Sequence, residues 1–341
     1  MKRYISIALL LVIVLFTSCR KTESVVGPTP TSLNWVFPND VKIIGNKGYV
    51  TVNGLDRIDV IDLTTTTAGV YVVNEGGFSG GGSLSRYDIE HDLMVNDIIN
   101  STQLIRSIMF PQYTGPGFLA RGIFVGSIGL LYTANYNGTV SIIDGSVDSL
   151  LSTSTQIVGF PGGIAYANGK LFVSDAGLYP TAGTSVKIVN GLNGALVDSV
   201  TVNNAPGALT VLNGKVFVLC TGTSKIYQID AATPTLEDSI QLSGYYSDMT
   251  TDGEALYAMS SDSVTKISVG PFQVVQSALV KRTEGNYFYT LGVDNVSGDI
   301  YVSNITTAGG SGQLEIYSSN GVLKRPALPV GVFPGAIVFK H

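Results

Sequence analysis

Residues 130–144 read LLYTANYNGTVSIID, and their pattern decides the fold. Leu130–Asn135 (LLYTAN) and Thr139–Asp144 (TVSIID) are short runs rich in Tyr, Thr, Val and Ile, residues that suit a pleated, half-buried surface. Between them Tyr136-Asn137-Gly138 carries Asn-Gly, a strong hairpin signal. The stretch predicts two antiparallel strands and a tight turn.

Variants of it recur along the chain: GYVTVNGLDRIDVID at 48–62, KLFVSD at 170–175 with SVKIVNG at 185–191, and KVFVLCTGTSKIYQID at 215–230. The fullest unit has four runs, PGGIAYA (161–167), LFVSD (171–175), SVKIV (185–189) and ALVDSVTV (195–202), separated by Gly- and Asn-rich turns. Four antiparallel strands per repeat is the make-up of a propeller blade. Hairpins between second and third strands centre near residues 54, 79, 137, 180, 222, 262 and 308. The 307 residues from Trp35 to His341 then give about 44 per blade for seven blades, against about 51 for six and about 38 for eight. The expectation is an all-β, seven-bladed propeller of four-stranded antiparallel blades over residues 36–341. FPGAIVF (333–339) repeats FPGGIAY (160–166), so it reads as an innermost strand that closes the ring. Its candidate recipient is VYVVNEGG (70–77), which follows Asp62 too closely to have a first strand of its own. Val41–Ile44 already gives the unit before it a first strand, so seven first strands and seven hairpins balance in number without the sequence placing them all in one ring.

The start of the chain has a different character. Lys2 and Arg3 precede a twelve-residue apolar run, Ile5–Phe16. As a helix that run rises only about 18 Å, short of a bilayer core of about 30 Å, so it reads as a signal peptide and not as a membrane span. Phe16-Thr17-Ser18-Cys19 resembles the lipobox of bacterial lipoproteins. The resemblance implies removal of residues 1–18 and acylation of Cys19, with membrane attachment through that lipid. Residues 19–35, polar with two prolines, then read as a tether. Loss of Lys2 and Arg3 takes the formal charge from −5 to −7. With only 13% charged residues and no basic stripe, the body is not built for nucleic acid. Cys220, in the apolar run VFVLC, reads as a small buried hydrophobe.

Tyr49-Val50-Thr51-Val52-Asn53 with Ile58–Asp62 (IDVID), and Tyr132–Asn135 (YTAN) with Val140–Asp144 (VSIID), resemble the repeat of the YVTN/YncE-type β-propeller family. VYVVNEGGFSGGGSLSRYD (70–88) also looks like the opening blade of Bacteroidetes surface lipoproteins of the BtuG-like branch. That likeness implies a cell-envelope protein of the outer membrane, on its surface or periplasmic face. It also implies capture of a corrinoid-like ligand (cobalamin) beside a TonB-dependent transporter.

In a blade ordered A–B–C–D, the B–C and D–A connections open on one face and the A–B and C–D turns on the other. Here the second set is tight, while the first includes FPQYTGPGFLARG (110–122), AGLYPTAGT (176–184), SGYYSD (243–248), GNYFY (285–289) and NITTAGGSGQ (304–313). Long loops on a rigid scaffold carry function more often than short turns do. The candidate ligand-binding residues are therefore Arg57, Glu75, Arg121, Asn135, Tyr136, Asp175, Tyr179, Tyr245, Tyr246, Tyr287, Phe288 and Asn304. Aromatic faces among a few directional polar groups are what a ligand pocket needs. The bland alternative has the tyrosines packing between blades and the Asn and Asp residues closing turns.

Catalytic patterns are sparse. His91 and His341 are the two histidines, and no nucleophile elbow lies near either. No Cys/His cluster suits zinc, and Asp294-x-x-Ser297-Gly298-Asp299, which lacks the ligand count for calcium, reads as an A–B turn of the repeat. GGFSGGG (76–82) has no helix after it, so it is no phosphate loop, and no cofactor motif is present. The expectation is a non-enzymatic binding protein. A surface-layer or scaffold module meeting protein or glycan is the alternative, and a propeller-fold enzyme such as a lyase the third reading.

Overall fold

The structure is a computed structural model that describes residues 38–52, 57–66, 68–75, 82–96, 98, 104–109, 120–125, 129–178, 180–282, 287–305 and 311–341. Signal peptide, Cys19 and tether lie outside the described residues.

The chain begins with β1 (Pro38–Ile44), β2 (Lys47–Val52) and β3 (Arg57–Asp62). It continues through β4 (Gly69–Asn74), β5 (Ser83–Asp88) and β6 (Leu93–Val95), then β7 (Leu104–Met109). From there strands come in sequential fours: β8 (Ala120–Val125), β9 (Leu130–Asn135), β10 (Val140–Asp144) and β11 (Ser149–Thr153); β12 (Pro161–Ala167), β13 (Lys170–Leu178), β14 (Thr181–Asn190) and β15 (Leu196–Thr201). Next are β16 (Pro206–Leu212), β17 (Lys215–Cys220), β18 (Lys225–Asp230) and β19 (Leu236–Gln241), then β20 (Tyr246–Thr251), β21 (Ala255–Ser260), β22 (Ser263–Val269) and β23 (Phe272–Lys281). The last are β24 (Tyr287–Val293), β25 (Ile300–Ile305), β26 (Ser311–Tyr317), β27 (Leu328–Val332) and β28 (Pro334–Lys340).

Seven four-stranded antiparallel sheets result, and their inner strands neighbour one another in the order β1, β8, β12, β16, β20, β24, β28 and back to β1. This is the seven-bladed propeller that the repeat length indicates. The closing blade is β28-β4-β5-β6, with Pro334 opposite Asn74 and Ile337 opposite Val72. Blade 1 is β1-β2-β3-β7, so the chain leaves it after three strands, builds most of blade 7, and returns to add the outer strand. The crossing turn is stitched to the closing strand: Lys340 Nζ donates to the carbonyls of Leu63 (2.7 Å) and Thr66 (2.8 Å).

The repeat's tyrosines carry the core. Tyr49, Tyr71, Tyr132, Tyr257 and Tyr301 are fully buried, and two of them bond across a blade boundary. Tyr132 Oη donates to the Gly191 carbonyl at 2.8 Å, and Tyr49 Oη to the Gly145 carbonyl at 3.1 Å and to Asp148 at 2.7 Å. A buried phenol needs such a partner, and the next blade's turn supplies it.

Each of the seven inner strands carries a register shift at its start, for example between Pro38 and Asp40, Pro161 and Gly163, Tyr246 and Asp248, and Pro334 and Ala336. The shift is a β-bulge, which bends a strand and re-aims its side chains. Proline suits this place because it lacks the N–H that a regular ladder would use. All seven bulges sit at the long-loop end of the channel that the inner strands enclose.

Candidate functional site

The inner strands surround an open cavity of about 700 Å³, with contributions from β1, β12, β16, β20, β24 and β28. Just past the bulge Asp40, Gly163, Asp248, Thr290 and Ala336 stand at one level, opposite Thr51, Ser174, Met259, Ser303 and Val73. Gly, Ala and Thr there leave the channel open, and the two aspartates give it charge. Gly162 has no room for a side chain, because a Cβ would run into the Pro206 carbonyl of the next blade.

The polar groups of the cavity are uneven along its axis. Asp248 keeps partial exposure, while its carboxylate accepts from Met249 N (2.8 Å) and, across the blade boundary, Leu291 N (3.3 Å). Burial pushes its carboxyl up, these N–H groups and Thr290 pull it back, and the Asp40 carboxylate adds to the push. Asp40 accepts from Val41 N at 2.8 Å. Glu75, after β4, reaches the mouth, where burial pushes its carboxyl up to about 6 against the Tyr289 hydroxyl, which donates to it at 3.2 Å. Tyr289 itself is pushed up, by burial first and then by the Glu75 charge. Lys42 lines the cavity two residues along β1 from Asp40, about 7 Å farther from the mouth. The site is thus acidic and aromatic at the long-loop end and has its ammonium deeper.

Of the residues proposed from sequence, Glu75 lines this cavity. Tyr136 is half-buried with its ring edge-on to Phe160 at 5.0 Å. Tyr245 and Tyr287 are exposed (64% and 55%) on the same face, and the Arg282 guanidinium lies 5.0 Å over the Tyr287 ring. Tyr246 and Phe288 pack into the cores between blades instead, Tyr246 with its hydroxyl 2.8 Å from Thr265 Oγ1. Arg57 grips buried Asp59 with two bonds of 2.7 and 2.9 Å. Asn135 donates to Thr139 and Ser141 (2.9 Å each), and Asn304 to Glu315 (2.9 Å). Asp175 accepts from the backbone N–H groups of Gly159, Phe160 and Gly177. Asn135 and Asn304 thus bond within their own hairpins, while Asp175 ties its hairpin to the approach to β12. Arg121 lies on β8, described here by its backbone alone, and Tyr179 is outside the described residues.

Sequence reasoning passed over Asp40, Lys42, Asp248 and Tyr289. For Asp40 and Asp248 the signal was the second position after the Pro38 or Tyr246 that starts the inner strand, and for Tyr289 the bulge position itself, legible only once the bulge is known. Asp294 closes the β24–β25 turn by accepting from Val296 N (3.0 Å) and Ser297 Oγ (2.6 Å). Among the described residues no group of three or more His, Cys, Asp or Glu is placed to hold a metal ion.

No protein-family model matches the chain, and no curated protein does. Solved structures do. A chain of Kuenenia stuttgartiensis hydrazine synthase superposes with a TM-score of 0.52 at 18% identity, over 61% of this chain and 65% of that one. Chaetomium thermophilum Raptor superposes at 0.61 and 10% identity, over 85% of this chain and 24% of Raptor. The computationally designed Ika8 protein superposes at 0.53 and 13% identity, over 91% of this chain and 98% of Ika8. This chain therefore spans just under two thirds of the hydrazine synthase chain and a quarter of Raptor. At such identities the likeness is one of fold.

Proposed function

We propose that this protein is an exported, lipid-anchored propeller that binds a small molecule at the long-loop mouth of its central channel, as a nutrient-capture accessory of an outer-membrane transporter. The observation that carries the reading is the cavity of about 700 Å³ where Glu75, Tyr289 and Asp248 converge. That volume lies in the range of small-molecule sites, and a few oriented polar groups among aromatic surface give such sites their selectivity. A non-enzymatic role is supported by the histidines: His91 sits on the opposite face beside Asp88 (3.1 Å), and His341 pairs with Asp294 (3.2 Å). A corrinoid, the ligand implied by the family resemblance, is bulkier than the cavity and would lie across the mouth over Tyr245 and Tyr287. Those two exposed rings also favour a second reading, in which the face docks a protein or glycan.

Isothermal titration of the full chain against corrinoids and other small solutes tests the first reading. Saturable heat at micromolar concentration is expected for at least one solute; no heat with any solute contradicts it. Membrane fractionation tests the anchor. Cys19→Ala should move the protein from the membrane to the soluble fraction, and an unchanged distribution contradicts lipidation.

A further inference from the structure

Aligning the blades by strand register shows what surrounds the mouth. Pro161, Pro206, Tyr246, Phe288 and Pro334 are equivalent, each paired with the last residue of a comparable stretch of the next strand: Asp175, Cys220, Ser260, Asn304 and Asn74. The residues immediately before them are Phe160, Ala205, Tyr245, Tyr287 and Phe333. Ala205 and Phe333 share a left-handed backbone (φ 53° and 50°), so the fold accepts alanine there and does not require an aromatic ring. Among the described residues an aromatic ring nevertheless takes this position in four of these five blades, at the long-loop end of the channel. Tyr289 lies 5.9 Å from Phe333, and Tyr136 lies edge-on to Phe160. Glu75 N donates to the Phe333 carbonyl (2.8 Å), and its side chain fills the space above Gly335, where a Cβ would collide with it. Among the described residues no protein cation pairs with Glu75.

We propose that the mouth recognises an organic cation, an alkyl- or methylammonium group seated against the Glu75 carboxylate and flanked by the rings of Tyr289, Phe333, Tyr136 and Phe160. The negative faces of aromatic rings attract such a cation, and a carboxylate fixes its position. Lys42, deeper in the channel, directs any anionic part of the ligand inward. A neutral ligand would leave the Glu75 charge buried and uncompensated. This inference rests on the channel being the binding site.

The test is isothermal titration of the full chain at low salt with choline, n-butylammonium and 3,3-dimethylbutan-1-ol, the last a neutral isostere of choline. Saturable binding of a cation is expected, with the isostere weaker by about tenfold or more. Glu75→Gln should weaken the cation by a similar factor and leave the isostere unchanged. Equal affinity for choline and its isostere, or no saturable heat with either cation, overturns the proposal. Binding of some other solute in that case leaves the channel as a site and removes only the cation. The isostere comparison needs no variant, so a Glu75→Gln protein that fails to fold does not shield the proposal.

Discussion

Glu75 shows what burial in the cavity wall does to a carboxyl. Its carboxyl titrates near 6 in the folded protein, above the ordinary 4.5, because burial penalises the charged form. A carboxyl raised in this way costs the fold stability above pH 6, and the cost disappears below about pH 4.5, where folded and unfolded chains are both protonated. The shift corresponds to at most about 2 kcal/mol. Glu75→Gln is thus expected to raise the unfolding free energy at pH 7.5 by up to about 2 kcal/mol and to leave it unchanged at pH 4. Urea melts at the two pH values measure this; a destabilised variant at pH 7.5 would show Glu75 to be holding the fold. Cys220 lies in the core instead. Burial pushes its thiol up to about 12, and the residue is fully buried against Val218 and Tyr227. Cys220 should resist alkylation by iodoacetamide for as long as the protein stays folded, and rapid labelling at Cys220 in buffer, located by peptide mapping, would contradict that burial. The Cys220 reading was open to sequence because an apolar run declares its environment. Asp40 and Asp248 were closed to it, since an aspartate near a loop looks the same whether it faces solvent or a channel.

The inner strand is the element that makes the site, and its glycines set how closely blades approach. Gly162 abuts the Pro206 carbonyl of the next blade, so Gly162→Ala forces the two strands apart. A loss of about 1–3 kcal/mol is expected from such overpacking, read as a lower thermal midpoint. An unchanged midpoint would mean the blades have slack at the channel. Hairpins were legible at this scale because turn chemistry is local. Within LLYTANYNGTVSIID only Gly138 takes a left-handed backbone (φ 79°), while Asn137 uses its side chain to accept from Thr139 N (3.2 Å) and Thr139 Oγ1 (2.7 Å). The bulge was not legible. It moves Tyr289, and not Tyr287 or Phe288, to the cavity, and a strict two-residue alternation read from sequence gives no sign of the extra residue.

At the scale of the molecule, seven blades follow from repeat length, yet their threading does not. β7 joins blade 1 only after β4, β5 and β6 have built blade 7, so neighbours in sequence are not neighbours in the sheet. The last strand, β28, is then the inner strand of a blade whose other three strands lie near the start of the chain. Ending the chain at Val332 removes that strand and opens the ring. The truncated protein should lose its single cooperative urea transition, whereas an unaltered transition would mean closure adds nothing to stability.

The ring also encloses the cavity, and the claim that function sits at its long-loop mouth rests on the whole assembly. Ser247, the exposed bulge residue of β20, lines that mouth, and Leu192, 70% exposed, sits on a turn of the opposite face. Tryptophan placed at either position tests the claim through isothermal titration with a solute that saturates the unmodified protein. Ser247→Trp should abolish binding, and Leu192→Trp should leave it unchanged. Full binding by Ser247→Trp, with loss in Leu192→Trp, would put the site on the other face and contradict the account.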